Sequence, residues 1–246
     1  MRILRFAVLL LVVLVWQLLW LRGLPEYILG PVEILQHFGA ALGEREFHDH
    51  VGASLLRSLP GFAIGTLLGV ALGLAAGVAR SFDQMLSPVV FLTYPVPKIV
   101  MLPLFMLWFG IGDFSKILII ALACFYPTFI NAYYGAKATP AILVWSGLNM
   151  GAGRWRIFLR VVVPNALPQI FAGIRVSLAL SFIVMFATEM INARSGLGHM
   201  IRVAENSLRF DLMYVSLLSI AILGYASDQL LRLGRERVLG WQEQST

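Results

Sequence analysis

A chain of 246 residues that is 59% hydrophobic and only 13% charged, with a mean hydropathy of +0.82, is too apolar for a water-soluble enzyme, a disordered chain, a collagen or a coiled coil. Its formal charge of +6 points, in so apolar a chain, to basic cytoplasmic loops and not to nucleic acid. A single cysteine, Cys124, excludes an internal disulfide framework and a cysteine-rich metal site.

A membrane helix needs about 20 mostly apolar residues to cross roughly 30 Å of hydrocarbon. Six stretches qualify, which predicts an all-α, polytopic membrane protein with about six transmembrane helices. The first runs from Phe6 to Leu21. Arg2 and Arg5 precede it as in a signal peptide, but it contains Trp16 and Trp20 and no small-x-small cleavage site follows, so a retained anchor is expected. Residues 1–51 then form this anchor and a periplasmic loop, and residues 52–246 the main transmembrane domain. The second stretch, Leu55 to Val78, carries Gly61, Gly65, Gly69, Gly73 and Gly77, one at every fourth residue. That spacing makes one smooth face on which another helix can approach closely.

The third stretch, Val89 to Phe109, holds Pro95, Pro97 and Pro103, which break a backbone ladder. Lys98 lies among them, just after Tyr94. An intramembrane cation suggests a water-lined path or a buried partner, with snorkelling to an interface as the alternative. The fourth stretch, Ile117 to Gly135, offers Tyr126 and Asn131 for helix–helix hydrogen bonds. The fifth, Ile170 to Ile191, carries Arg175 and Glu189. At about 1.5 Å per residue they are too far apart to pair, and each is expected at an interface. The sixth runs from Leu212 to Leu233. Tyr94, Lys98, Asn131 and Glu189 are the candidates for a substrate path.

With the amino terminus inside, the inner segments gather most of the arginine and lysine, and the first outer loop is acidic, with Glu26, Glu33, Glu44, Glu46 and Asp49. Both termini are then cytoplasmic. The inner connection from Ala136 to Gln169 has four basic residues and no acid. Trp155, Phe158, Leu159 and Val162 share one helical face, while Arg156 and Arg160 fall on another. Gly151 interrupts two helical patterns and Pro164 limits the second. Either a helix–turn–helix lies parallel to the membrane here, or an amphipathic helix lies among the headgroups.

Enzyme signals are poor. There is no G-x-x-x-x-G-K-[ST] phosphate loop and no H-E-x-x-H. His48-Asp49-His50 falls in a polar loop without further nearby ligands, so no metal is expected. His37, His48, His50 and His199 fall in loops or at helix ends, where a Ser–His intramembrane protease would not place them.

The inner segment Trp145-Ser-Gly-Leu-Asn-Met-Gly151, continuing to Val161-Val-Val163-Pro164, resembles the EAA loop of binding-protein-dependent ABC importer permeases: E-A-A, three residues, G, nine residues, then I-x-L-P. Gly151 matches the glycine, and Val161, Val163 and Pro164 fit the end. Trp145, Ser146 and Gly147 stand at the E-A-A positions, so the acid is missing. Leu102 to Gly112 with Ser115-Lys116, Pro164-Asn-Ala-Leu-Pro168 before Gly173-Ile-Arg175, and Glu189-Met-Ile191 with Ser195-Gly-Leu-Gly198 are similar to the taurine/sulfonate/nitrate branch.

The resemblance implies a helix–turn–helix coupling loop at about 136–169, acting through Gly151, Arg154, Trp155, Arg156, Phe158, Val162 and Pro164. It implies two ATPase subunits, a second permease chain (a homodimer), a periplasmic or lipid-anchored substrate-binding protein, and lipid of a bacterial inner membrane around the chain. This chain would bind no cofactor, leaving ATP and Mg to the partner ATPase. The implied solute is a small organic anion or oxyanion such as a sulfonate, nitrate or bicarbonate, or alternatively an aromatic or pyrimidine precursor. A stand-alone secondary transporter would need inverted repeats, and none is evident.

Overall fold

In hydrocarbon every backbone polar group must be satisfied within the protein, which favours unbroken helices. A computed structural model describes residues 2–240, apart from the side chains of residues 2–6 and 9. It is helical throughout: α1 (Arg2–Leu21), α2 (Pro31–Ala41), α3 (Arg45–Val78), α4 (Arg80–Thr93), α5 (Leu102–Phe109), α6 (Asp113–Lys137), α7 (Ala141–Asn149), α8 (Arg154–Ile157), α9 (Val163–Asn192), α10 (Leu197–Asn206) and α11 (Phe210–Val238).

Among the described residues four helical runs are long and apolar enough to cross a membrane: α3, α6, the continuous run Arg154–Asn192, and α11. The expected third span is not one helix. Its prolines divide it into α4 and α5, joined by a short 3-10 turn, Lys98–Met101, and bent by 93°. Pro95 and Pro97 supply no N–H, so the ladder cannot continue, whereas Pro103 sits in the first turn of α5, where no donor is needed. Counted as one bent span, the pair makes a fifth. The apolar stretch of α1 among the described side chains is Leu10–Leu21, within the 20-residue helix Arg2–Leu21. The first outer loop is also more ordered than expected. Pro31 starts α2, and α3 begins ten residues before the apolar run. His48 and Asp49 therefore lie on a helix, as do His37, His50 and His199.

The chain divides into two units. In the unit formed by Leu56–Thr188 with the chain from Gly224 onward, α6 is the axis, with buried residues along its whole length. The glycine stripe of α3 lies on it. A Cβ at Gly61 would stand 2.7 Å from Ile120 Cβ, one at Gly69 2.8 Å from the Phe125 carbonyl, one at Gly73 2.5 Å from the Phe129 carbonyl, and one at Gly77 2.6 Å from Ala136 Cβ. At Gly65 it would collide with the Ala121 carbonyl. No side chain fits, so the backbones approach to a distance that only glycine permits. α9 packs on α6 through Gly173, where a Cβ would lie 2.7 Å from Asn131 Cβ, and through Thr128 and Ser177, whose hydroxyls meet at 2.6 Å. Leu74, Ala132, Ala136, Val162, Ala166 and Ile170 form a core among the three helices. Arg175, at the exposed flank of α9, makes a bidentate pair with Asp228 of α11 at 2.7 and 2.9 Å.

The other unit, the chain up to Leu55 with Glu189–Leu223, is built around Ala41, Phe47, Leu197, Met200 and Val215. The Phe38 and Phe47 rings meet edge-on at 6.1 Å and 87°.

The packed stripe generates a paired test. Gly65→Ala is expected to lower the thermal midpoint of the detergent-solubilised protein, overpacking costing about 1–3 kcal/mol. Gly39→Ala, on an exposed face of α2 with nothing within 4 Å of the new methyl, should leave it unchanged or raise it. Equal effects from the two substitutions would contradict the close approach of α3 to α6.

Candidate functional site

The segment between α6 and α9 is a helical hairpin. α7 closes with Gly151 at φ +77°, a left-handed conformation that costs a residue with a Cβ. The Gly151 N–H reaches the Leu148 carbonyl at 2.9 Å and the Ala152 N–H reaches that of Gly147 at 3.0 Å, the paired bonds of a Schellman cap. The chain then reverses into α8, and buried Ile157 fits over Gly147, where a Cβ would lie 3.2 Å from Ile157 Cγ1. The smallness of position 147 is thus a packing requirement.

Two expectations about this hairpin change. Pro164 does not limit the second helix, because a π turn, Phe158–Val162, precedes it. The Val163 N–H there reaches back five residues to Phe158, which absorbs the missing proline donor. The helix continues from Arg154 to Asn192. The expected apolar face also divides. Val162 is buried in the core with Leu74 and Ala132, whereas Trp155 is 70% exposed and stacks on half-buried Phe158 at 5.4 Å. Ile142, Trp145, Met150 and Leu159 are exposed beside it, as are Arg154, Arg156 and Arg160.

A second site lies at the elbow between α4 and α5. A cavity of about 330 Å³ is lined by the elbow residues from Tyr94 to Ile99, by Ala123, Tyr126 and Pro127 of α6, and by Leu180, Ile183, Val184 and Ala187 of α9. The α6 residues fall at the middle of its 25-residue length, so the elbow sits at mid-span. Non-helical backbone at that depth persists where it lines a cavity or is buried in protein. Lys98 turns back onto the elbow. Its ammonium donates to the carbonyls of Thr93 (2.8 Å), Tyr94 (3.0 Å) and Val96 (2.6 Å) and lies 4.0 Å from the centre of the Tyr126 ring. The Tyr126 and Thr93 hydroxyls meet at 2.9 Å. Thr93 and Tyr126 were not among the path candidates, although the proline pair marks their neighbourhood.

Of the four path candidates, Tyr94 and Lys98 share this cavity, and Asn131 and Glu189 do not line it. Asn131 donates to the Pro127 carbonyl of its own helix at 2.8 Å. Glu189, near the end of α9, is fully buried. It accepts from Ser54 Oγ at 2.8 and 3.0 Å and from the Gly198 N–H at 3.0 Å. Ser54 Oγ in turn accepts from the Leu197 N–H at 2.8 Å, and His50 Nδ1 accepts from the Gly196 N–H at 3.0 Å. The carboxylate thus caps the first turn of α10, where free N–H groups favour negative charge. Gly196 turns the chain at φ +112°, and a Cβ there would collide with the Glu189 carboxylate. Ser54 and His50 carry no sequence signal for this role. Among the described residues no group of three or more His, Cys, Asp or Glu side chains is placed to hold a metal.

Residues 65–239 match the family described as the binding-protein-dependent transport system inner membrane component. The taurine transport system permease protein TauC of Escherichia coli is 31% identical over 222 residues, covering 88% of this chain and 81% of TauC. The Escherichia coli protein named for aliphatic sulfonate transport, SsuC, is 34% identical, covering 94% and 88%. The riboflavin transport system permease protein RibX of Chloroflexus aurantiacus is also 34% identical, covering 95% and 88%. The fold is similar to that of a chain in the crystal structure of a bacterial ABC transporter for import of the acidic polysaccharide alginate, with a TM-score of 0.65, 15% identity and 97% of each chain covered.

The Glu189 network sets an expectation. Gly196→Ala should destabilise the protein by at least about 1–2 kcal/mol, the cost of a left-handed residue with a Cβ, and Ser54→Ala by about 1–3 kcal/mol because the buried Leu197 N–H loses its acceptor. Both are read as a lower unfolding temperature in detergent. A wild-type melting curve for Gly196→Ala would show that the loop does not lie against the carboxylate.

Proposed function

This chain belongs to the family of binding-protein-dependent transport system inner membrane components, and from that premise we propose how it takes up its solute and its motor. It is a multi-pass permease subunit of an ABC importer, not an enzyme, and ATP hydrolysis belongs to a separate subunit. The α7–α8 hairpin is the surface that seats in the ATPase. Two copies of the chain form the pathway, two ATPase subunits dock on the cytoplasmic side holding ATP and Mg, and a binding protein delivers the solute from outside. Both termini are cytoplasmic. The observation that carries the reading is the hairpin itself: a glycine-capped turn that leaves Trp145, Met150 and Trp155 exposed within an arginine rim. Such an apolar patch calls for a partner.

The elbow cavity is the solute path, since it combines broken backbone at mid-span with walls from three segments. A small organic anion of the sulfonate kind is the proposed solute, supported by the likeness to TauC and SsuC. An aromatic solute is the second reading. The apolar lining and the facing rings of Tyr94 and Tyr126, 6.1 Å apart, favour it.

Because Gly151 is required by its φ and not by crowding, the residue that replaces it should matter. Gly151→Val is expected to reach the membrane but to lose co-purifying ATPase and to transport about tenfold more slowly, since about 1.4 kcal/mol of strain is a factor of ten. Gly151→Asn, which tolerates left-handed backbone, should keep most of the activity. Arg156→Ala should cost less than about 1 kcal/mol, as exposed ion pairs do. Full uptake by Gly151→Val would remove the hairpin from the coupling role.

Topology is testable separately. A reporter fused after Arg237 should read as cytoplasmic. One inserted beside Glu44, in the turn between α2 and α3, should read as periplasmic. Both reporters on one side would refute the proposed orientation.

A further inference from the structure

The elbow poses a problem that its lysine solves in part, at Thr93. In a continuous helix the carbonyls of Phe91 and Thr93 would accept from residues 95 and 97, but both are proline and have no N–H. The end of α4 therefore presents carbonyl oxygens at mid-span, with the negative end of the helix dipole behind them. Lys98 turns back onto this end. An ammonium has three donors and no acceptor, and all three face main-chain oxygens: Thr93 at 2.8 Å, Tyr94 at 3.0 Å and Val96 at 2.6 Å. Its charge rests on the Tyr126 ring of α6 at 4.0 Å, and the Tyr126 hydroxyl closes the circuit onto Thr93 Oγ1 at 2.9 Å. At its other end α4 is held to the same helix, because Asp83 accepts from Tyr133 and Lys137, each at 2.8 Å.

We propose that Lys98 is the pin of the elbow, a positioning residue that shapes the path wall and makes α4 and α6 move as one piece, and not a ligand for the solute. The proposal rests on the reading of the elbow cavity as the path. A solute anion could take an ammonium hydrogen only by displacing one of the three carbonyls; that of Thr93 would keep the Val96 N–H at 3.2 Å, but those of Tyr94 and Val96 would lose the donor that holds the elbow closed. Solute specificity belongs instead to the groups that face the cavity beside the pin, Tyr94 and the apolar residues of α9.

The test uses the complete transporter in proteoliposomes, with its ATPase and binding protein, and a Val96→Cys reporter. Val96 is 47% exposed at the elbow, whereas the native Cys124 is buried and does not compete. Lys98→Met is expected to raise the maleimide reactivity of the reporter at least about fivefold and to lower the maximal uptake rate about tenfold, with KM within about twofold, the pattern of a group that acts on turnover and not on binding. Lys98→Arg, which can again donate to the same carbonyls, should bring reactivity and rate back to within about threefold of the parent. Tyr126→Leu, which removes the ring but leaves the lysine, should raise reactivity by a smaller factor, and it carries the test if Lys98→Met does not assemble. A raised KM with maximal rate intact in Lys98→Met would make Lys98 a solute ligand and overturn the proposal, as would unchanged reporter reactivity. The underlying reading fails by a different result: if the reporter transports as fast after modification as before it, the elbow is not on the path, whatever Lys98 does.

Discussion

Satisfaction of backbone hydrogen bonds without water is the constraint on which the rest of this structure depends. It permits long helices and makes any interruption costly, and at three interruptions here a substitute partner is identifiable. Where α4 ends at mid-span, the Lys98 ammonium donates to the Thr93 carbonyl, which Pro97 leaves without its helical donor, and to the Tyr94 and Val96 carbonyls of the elbow. Where Pro164 would break the run into α9, a π turn shifts the bond to Val163 and Phe158. Where α10 begins, its first N–H groups meet Glu189 and Ser54. Three charged or irregular features that look unrelated in the sequence answer one physical demand.

With that demand met locally, helix association depends on shape. Lipid tails are as apolar as leucine, so there is little hydrophobic drive between helices, and close contact has to supply the attraction. The five glycines of α3 remove side chains along one face, and Gly173 of α9 does the same opposite Pro127 and Asn131. α6 lies between them as the axis of its unit, and its buried hydroxyls, Thr128 with Ser177 and Tyr126 with Thr93, add fixed points. The wall of the elbow cavity is therefore set by α6, the least exposed helix of that unit.

Much of this was legible in the sequence because it rests on period and on glycine or proline, whose effects are local. The glycine stripe, the break near Pro95 and the turn at Gly151 could each be read from a few neighbouring residues. What could not be read needed partners distant in the chain. The buried hydrogen bonds of Glu189 had no sign in the sequence, because nothing near it announces Ser54, 135 residues away. For Lys98 the sequence left a water-lined path, a buried partner and snorkelling open, because its acceptors are main-chain oxygens, which every sequence has. Val162 seemed to share a face with Trp155, yet the π turn changes the register between them, so one is buried and the other exposed. The helix α2 escaped notice because it is too short to qualify as a span.

The continuity of the run from Arg154 to Asn192 bears on how a motor could act at a distance. A hairpin ending at Pro164 would be joined to the membrane helices by a flexible link, and force applied to it would dissipate there. In this chain the helix that carries Trp155 at the proposed docking surface also carries Ile183 and Val184 in the cavity wall, 28 residues on, or about 40 Å at 1.5 Å per residue. A tilt imposed at the exposed end is then delivered to the wall by one rigid element. The opposite wall, α4 with its elbow, is fixed to α6 at both ends. The proposed opening of the cavity calls for relative motion of α9 and α6, and the close, hydrogen-bonded contact at Gly173, Thr128 and Ser177 is what such motion has to rearrange. The π turn lies between the docking surface and this contact, and such a turn can change register at modest cost. It is the point in the run where transmitted motion has the most freedom to be shaped.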